Sequence, residues 1–468
     1  MADGAELPTG DACDARLSNG LTNETLGGRR LLLHAPSRRA KISFARPRLR
    51  HTRLHSPQPS QQPNLVVKHR KFCGGLAMLM FALAGMFPLG AQIGPANSLP
   101  PSRKSGETAR SSSPPPVVSP EVLADRSVVF RLRAPAAAKV DFAVIPGAAK
   151  PMTKDGAGVW FLTVGPLDPE IYRYHFVVDG LRVTDPVNDW IEIGRKTSTS
   201  LFEVPGSPAR IEERRAGEGG TLHIRHYASS VLGVTRRTFI HVPAAYDREP
   251  ARRFPVLYLR HGASGLESSW SDLGRAGVIL DNLVAVGRAV PMIIVMPNGY
   301  ADRPRKQGTP VPFGQESRDA TRTELLEDII PLIERIYRVQ KGPEHRAIAG
   351  LSMGAGQAFF TGLMHPDQFA WVAEFGSGAF SEPKFDLATA IPGLLEKPEA
   401  TNARLRLLFL SCGTEDPRYN GQLRLHEALK HHGIRHEWLT FPGAHEWKVW
   451  RHSLAALLPR LFPPAPAP

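Results

Sequence analysis

Cysteine is nearly missing from this chain: Cys13, Cys73 and Cys412 are the three in 468 residues. Cys412 stands alone after residue 73, and a lone cysteine closes no intramolecular disulfide. The fold must then rest on core burial, which suits any compartment. Long hydrophobic runs are equally scarce. The uncharged stretch at 72–87 has 16 residues, short of the about 20 that cross a bilayer. There is no internal repeat, and no basic stripe interleaved with aromatics. The net charge of +14 therefore does not point to nucleic acid. Its distribution explains why: residues 1–91 hold 13 Lys+Arg against 5 Asp+Glu, and the remaining 377 hold 45 against 39.

What is present divides the chain by texture. Residues 1–65 are rich in Arg, Pro, Ser and Gln, lack periodicity and read as disordered. Residues 66–91 carry Lys68, Arg70 and Lys71, then the uncharged run, then Leu89-Gly90-Ala91 as a small-residue cleavage site. That is the pattern of a secretory signal peptide, implying a periplasmic or secreted protein without stable membrane insertion after cleavage. Cys73 has no lipobox, since charge precedes it. A signal peptide belongs at a chain start, so the reading makes residues 1–65 a gene-model artefact. The alternative is an uncleaved anchor behind a disordered tail. Residues 92–117 form a Pro/Ser-rich linker.

From residue 118 to 205 short runs such as SVVFRLRAP, KVDFAVI, GVWFLTV and IYRYHFVVDG alternate apolar and polar residues, which predicts a small all-β sandwich. Residues 206–220 are a polar, Gly-rich junction. From 219 to 464 near-continuous apolar runs (FPVLYLRHG, VPMIIVMPNG, LRLLFLSCG) alternate with helical patterns such as ELLEDIIPLIERIY. This is the signature of an α/β domain on a mostly parallel sheet. The expected fold class is α/β, an α/β-hydrolase domain preceded by the sandwich.

Within the α/β segment, Gly350-Leu351-Ser352-Met353-Gly354 is G-x-S-x-G at a strand-to-helix turn. Glycine at both flanks lets the turn be sharp enough to lift the serine oxygen clear of the sheet, with the Met353 N–H facing a developing oxyanion. A serine hydroxyl needs a base, and the base an orienting acid. On such sheets these follow in the order Ser, Asp/Glu, His. Asp416, in TEDP after a buried strand, is the candidate acid, with Glu415 its competitor. His445, in the loop PGAHEW before a helix, is the candidate base. His261-Gly262 after an early strand introduces a loop whose next N–H, from Ala263, is the candidate second oxyanion donor.

Together these residues resemble the putative-esterase branch of the α/β-hydrolases, which includes esterase D, feruloyl esterases, enterochelin-type esterases and mycolyltransferases. The likeness runs from about Leu222 to Phe462 through LRHGASGLESSW, AIAGLSMGAGQAF, SCGTEDP and GAHEWKVW. It implies Ser352 as nucleophile, Asp416 as acid, His445 as base, Ala263 and Met353 as oxyanion donors, and no metal or cofactor. Residues 119–204 resemble an early-set immunoglobulin-like domain. The implied activity is hydrolysis of carboxylic esters, with feruloyl or acetyl esters of plant polysaccharide as the first expectation. A siderophore lactone, acyl transfer, and an inert glycan-binding or scaffold protein are the alternatives. The partner is a small-molecule or polysaccharide ester, and the sequence does not give the oligomeric state. Two departures stand out. Gly354-Ala355-Gly356 replaces a more usual GG, and Arg260 precedes the HG where an apolar residue is usual, either lining the pocket or pointing to solvent.

Other conspicuous residues have plainer readings. Tyr172, Tyr174 and Phe176 alternate on one strand face and, with Trp160 and Trp190, could form a sugar platform. Sandwich core is the commoner use of such a face. His426, His431, His432 and His436 mimic a metal cluster, but Gly433 interrupts them at a helix end. Trp447, two residues from His445, is read as packing or as bordering the pocket.

Overall fold

The computed structural model describes residues 115–217, 219–301, 314–380 and 385–463. The signal-like segment and most of the linker lie outside them. No helix among the described residues is long and apolar enough to cross a membrane.

Alternating side chains build the first layer pair. In β1 (Val128–Arg133), Val128, Phe130 and Leu132 point inward while their neighbours are half exposed. They meet inward residues of β2 (Val140–Ile145), β3 (Val159–Val164) and β4 (Glu170–Val178). Further on, β5 (Ile191–Ile193) and β6 (Ser198–Val204) complete the larger sheet. β1 and β3 belong to a four-stranded sheet, and β2, β4, β5 and β6 to a six-stranded one. The core between them is aromatic. Phe130 lies 4.1 Å from Phe142 and 4.8 Å from Tyr174 between ring centroids, and Phe176, Phe202 and Trp160 close it. Tyr174 and Phe176 are fully buried and Tyr172 stacks on Phe202 at 5.1 Å. The strand face is sandwich core.

The second unit is one eight-stranded sheet. β7 (Thr221–Ser229) and β8 (Val234–Val242) are antiparallel; β9 (Val256–Arg260), β10 (Ile293–Pro297), β11 (Arg346–Gly350), β12 (Trp371–Phe375), β13 (Leu407–Gly413) and β14 (Glu437–Phe441) run parallel to one another. The order is β7-β8-β10-β9-β11-β12-β13-β14. Every residue of β9, β10, β11 and β12 is buried, as strands covered on both faces must be. Val256 and Tyr258 enter one core with Phe359 and Leu425; Leu257 and Leu259 enter the other with Ile279 and Leu454. Helices α1 (Ala276–Ala285), α2 (Met353–Met364), α3 (Tyr419–His431) and α4 (Trp447–Leu457) supply those covers. The chain reverses its direction of winding around β9, so the loops after β9 and β11 open onto a crevice at the carboxyl edge, where open α/β sheets bind ligands.

The junction is more ordered than its composition suggests. Glu212 and Glu213 are buried, and the Ile211 and Glu213 carbonyls each accept from the Asn282 side-chain amide. Arg210 pairs with Glu213 at 2.8 Å and with Glu203 of β6 at 3.1 Å. Arg451 of α4, 1% exposed, reaches across to Glu170 of β4 and lies 3.4 Å from Glu212. Trp190 sits under the Arg275 guanidinium at 4.1 Å and donates its indole N–H to the Asp272 carbonyl. It is a joint between the layers, not a sugar platform.

Candidate active site

Four strand ends supply the site. Gly350 ends β11, and a Cβ there would lie 2.3 Å from the Gly354 carbonyl oxygen; one on Gly354 would lie 2.4 Å from the His261 carbonyl oxygen. Only hydrogen fits at either position. Between them Ser352 is held at φ 53° and ψ −113°, a conformation that non-glycine residues rarely adopt and that here projects the hydroxyl from the turn. Its N–H donates to the Phe375 carbonyl at 3.0 Å, which fastens the turn to the next strand.

Asp416 follows β13 and His445 follows β14. A Cβ on Gly413 would lie 2.3 Å from the Gly443 carbonyl, so glycine lets the two loops touch, and the Thr414 and Glu415 N–H groups donate to Phe441 and Gly443. The Asp416 carboxylate lies 2.6 Å from His445 Nδ1, and His445 Nε2 lies 2.9 Å from Ser352 Oγ. A carboxylate only accepts, so Nδ1 carries the proton and Nε2 accepts from the serine hydroxyl. Burial works to raise the Asp416 carboxyl. The His445 hydrogen bond, the Arg418 N–H and the Arg418 charge outweigh it and hold the group below its ordinary range. Glu415 is exposed and takes no part in this chain of bonds.

The loop after β9 passes directly over the serine. His261 is 1% exposed, donates from Nδ1 to the Gly262 carbonyl at 2.8 Å and accepts the Gly299 N–H at Nε2. Burial lowers its pKa to about 4, so it stays neutral and serves as a pin for the loop. The Ser264 N–H donates to the Tyr300 hydroxyl at 2.7 Å. Ala263 borders the same hollows as Ser352, and Met353 opens α2 immediately after it. Arg260 neither lines the pocket nor faces solvent. It is 1% exposed, and its guanidinium donates to the Thr321 carbonyl and Gln357 Oε1, tying β9 to α2 and the helix before it. Burial lowers its pKa to about 10.

Several site residues carry no motif that spacing could have revealed. Trp450 meets the His445 ring edge-on at 4.8 Å and itself packs on Trp447 at 5.3 Å. Its only signal is an aromatic three residues after Trp447 on the helix following the histidine. Arg418, two residues after Asp416, lies 3.6 Å from that carboxylate. Most unexpected, the sandwich forms one wall of the hollow above Ser352. The Arg195 N–H donates to the Ser264 carbonyl at 3.0 Å, and residues of β4 and of the 194–197 loop border a cavity of about 770 Å³ together with Ser352 and His445. A smaller hollow of about 320 Å³ shares Ala263, Ser352 and Arg418. It is lined by Met353, Gly356 and Gln357 in place of His445 and Trp450. The histidines at 426 and 436 bond to each other at 2.7 Å beside Trp438, and among the described residues no cluster is suited to a metal.

Residues 229–461 match the Putative esterase family. That region belongs to this esterase family. Among curated relatives, a protein of Xylanibacter ruminicola named endo-1,4-beta-xylanase/feruloyl esterase is 30% identical over 342 residues, 71% of this chain and 44% of that protein. An esterase of Mycobacterium tuberculosis strain H37Rv is 25% identical over 63% of this chain and 70% of its own length. This chain thus spans less than half of the first relative. Of solved structures, the enterobactin esterase of Shigella flexneri aligns with 72% of this chain and 93% of its own, with a TM-score of 0.50 and 18% identity, a likeness of fold. The family match starts within β7 and covers all four strand ends that carry the site.

Proposed function

We propose that this chain is an exported serine hydrolase of carboxylic esters, acting on feruloyl or acetyl esters of plant polysaccharide. The observation that carries the reading is the unbroken chain of contacts from Ser352 Oγ through His445 to Asp416, at 2.9 and 2.6 Å. In the first step His445 Nε2 takes the serine proton as Oγ bonds to the ester carbonyl carbon. The Ala263 and Met353 N–H groups receive the negative charge that moves onto the carbonyl oxygen. Collapse breaks the bond to the alcohol, which leaves with the proton from Nε2. Water, deprotonated by the same nitrogen, then releases the acid and restores the serine. Asp416, ionised and buried, keeps the ring oriented and stabilises its charged form.

The alcohol must meet Nε2 to take its proton. That assigns it to the larger hollow, which His445 borders, and the acyl group to the smaller one. A wide hollow for the alcohol suits a polymer, and the name of the Xylanibacter relative supports feruloyl chemistry. Residues 118–205 are read as an early-set immunoglobulin-like sandwich, 219–464 as the hydrolase domain, and 66–91 as the export signal.

The test is Ser352→Ala assayed on feruloyl, acetyl-xylan and 4-nitrophenyl esters. Turnover should fall by about 10⁴-fold or more, with the melting temperature nearly unchanged. The wild-type serine should also react with a fluorophosphonate. A variant that keeps near wild-type rates removes Ser352 from the mechanism.

A further inference from the structure

The wall that the sandwich lends to the larger hollow is cationic. Five cations border that hollow, Arg173, Arg182, Arg195, Lys196 and Arg418, against two carboxylates, Glu192 and Glu446. The two carboxylates offset part of that charge and leave an excess of cations on the border. Glu192 is part of the wall but only 7% exposed, 3.8 Å from Arg173 and accepting from the Thr199 hydroxyl. Glu446 turns back to accept the Ala444 N–H of its own loop. Arg418 is engaged with Asp416. Arg182 and Lys196 are exposed; Arg182 feels the charge of Glu192, but among the described residues neither makes an ion pair within 4 Å of a carboxylate.

These two come from separate parts of the sandwich, Arg182 from the short strand Leu181–Val183 and Lys196 from the loop between β5 and β6. The Arg195 N–H, bonded to the Ser264 carbonyl one residue from Ala263, holds the Lys196 loop over the esterase loop, and Arg182 borders the same hollow. Like charges converging on one mouth repel each other, and an anionic guest relieves that repulsion while gaining charge-assisted hydrogen bonds. The same wall already seats one carboxylate, Glu192, against Arg173.

We infer that the sandwich is a specificity element which selects esters whose alcohol half carries a carboxylate, Arg182 and Lys196 being the selecting groups. This deepens the hydrolase reading and rests on it for the assignment of the larger hollow to the alcohol. Placing the charge on the alcohol follows from the hollow's second border, His445, which must protonate the departing oxygen.

A matched pair of esters isolates the charge: 4-acetoxybenzoate and its neutral isostere 4-acetoxybenzamide. At low salt kcat/KM should favour the benzoate. In Arg182→Glu/Lys196→Glu the benzoate-to-benzamide ratio should fall by about tenfold or more, and salt near 0.5 M should erode the wild-type ratio as screening shortens the range of the wall's field. Binding is read separately by calorimetry on the Ser352→Ala protein, with 4-hydroxybenzoate against 4-hydroxybenzamide. The benzoate should bind about tenfold tighter, one decade being the scale of a single charge-assisted contact, and the contrast should vanish in the charge-reversed background. The single substitutions Arg182→Gln and Lys196→Gln should each lower it in part. Equal binding of acid and amide, or a contrast that survives charge reversal, overturns the inference. If neither ester is turned over and the serine resists the fluorophosphonate while charge-selective binding persists, the hydrolase reading fails and the anion site stands. Turnover without charge preference does the reverse, sparing the hydrolase and removing the anion site.

Discussion

At the scale of single residues, two buried acids, Asp416 in the loop after β13 and Glu374 in β12, lead to different expectations. Asp416 is ionised and points at His445. Asp416→Asn would keep the shape but offer the imidazole an amide, free to favour the wrong tautomer. The rate should fall by about 10⁴-fold, whereas Glu415→Gln, at an exposed position, should leave it within about twofold. Steady-state kinetics on one ester separate the two acids. Glu374, at the end of β12, is fully buried. Its Oε2 accepts from the Ser377 N–H and the Gln422 amide, and burial raises its pKa to about 8. The folded protein therefore holds this proton while the unfolded chain releases it near pH 4.5. Stability from this group is complete below that pH and is lost as pH climbs to about 8. Glu374→Gln should abolish that slope, so thermal melts from pH 5 to 9 should show the variant losing fewer degrees than wild type. A parallel decline in both would mean that Glu374 is ionised in the fold.

At the scale of elements, the elbow depends on two hydrogens. Gly350→Ala forces a methyl against the Gly354 carbonyl and should cost about 1–3 kcal/mol along with most of the activity. Gly156→Ala, with nothing within 4 Å of the added methyl, should be neutral in both respects. Denaturant midpoints and an ester assay check the contrast. This is also the scale at which the sequence is most readable. Runs such as VLYLR and IIVMP, short, rich in aliphatic residues and bounded by turn residues, announce strands covered on both faces. G-x-S-x-G announces a turn that only glycine permits, and the loops carrying Asp416 and His445 follow recognisable buried strands. Arg260 is not readable. A guanidinium beside HG suggests solvent or substrate, and its burial depends on a carbonyl at Thr321 and an amide at Gln357 that no local pattern foretells. Nor is Trp450, whose contact with His445 depends on the angle at which a helix leaves a loop. The order in the polar junction at 206–220 is hidden as well, because composition records charge but not whether each charge has found its opposite.

At the scale of the whole molecule, the sandwich and the esterase sheet are held by ions drawn out of water. Arg451 is almost completely buried between Glu170 and Glu212, beside the network of Arg210 with Glu203 and Glu213. Removing one partner of such a set strands the other. Arg451→Met should destabilise the protein by about 3 kcal/mol because it leaves Glu170 and the buried Glu212 short of a cation, and Glu212→Gln/Arg451→Met should recover much of it, since the second change removes the stranded charge. Calorimetry on the single and double variants checks this, and a double variant no better than the single one would assign the loss to packing. The division of the cavity between two units is beyond the reach of sequence reading for a related reason. Arg195 and Ser264 lie 69 positions apart, in loops that belong to different sheets, so nothing in either neighbourhood records their approach.

Trp450 and Arg451 are consecutive. One steadies the imidazole, and the next grips the neighbouring unit. A nudge that loosened the grip would arrive at the proton carrier after a single peptide link, with no intervening slack to absorb it. An exchange of the sandwich for another lobe would therefore have to bring this helix along.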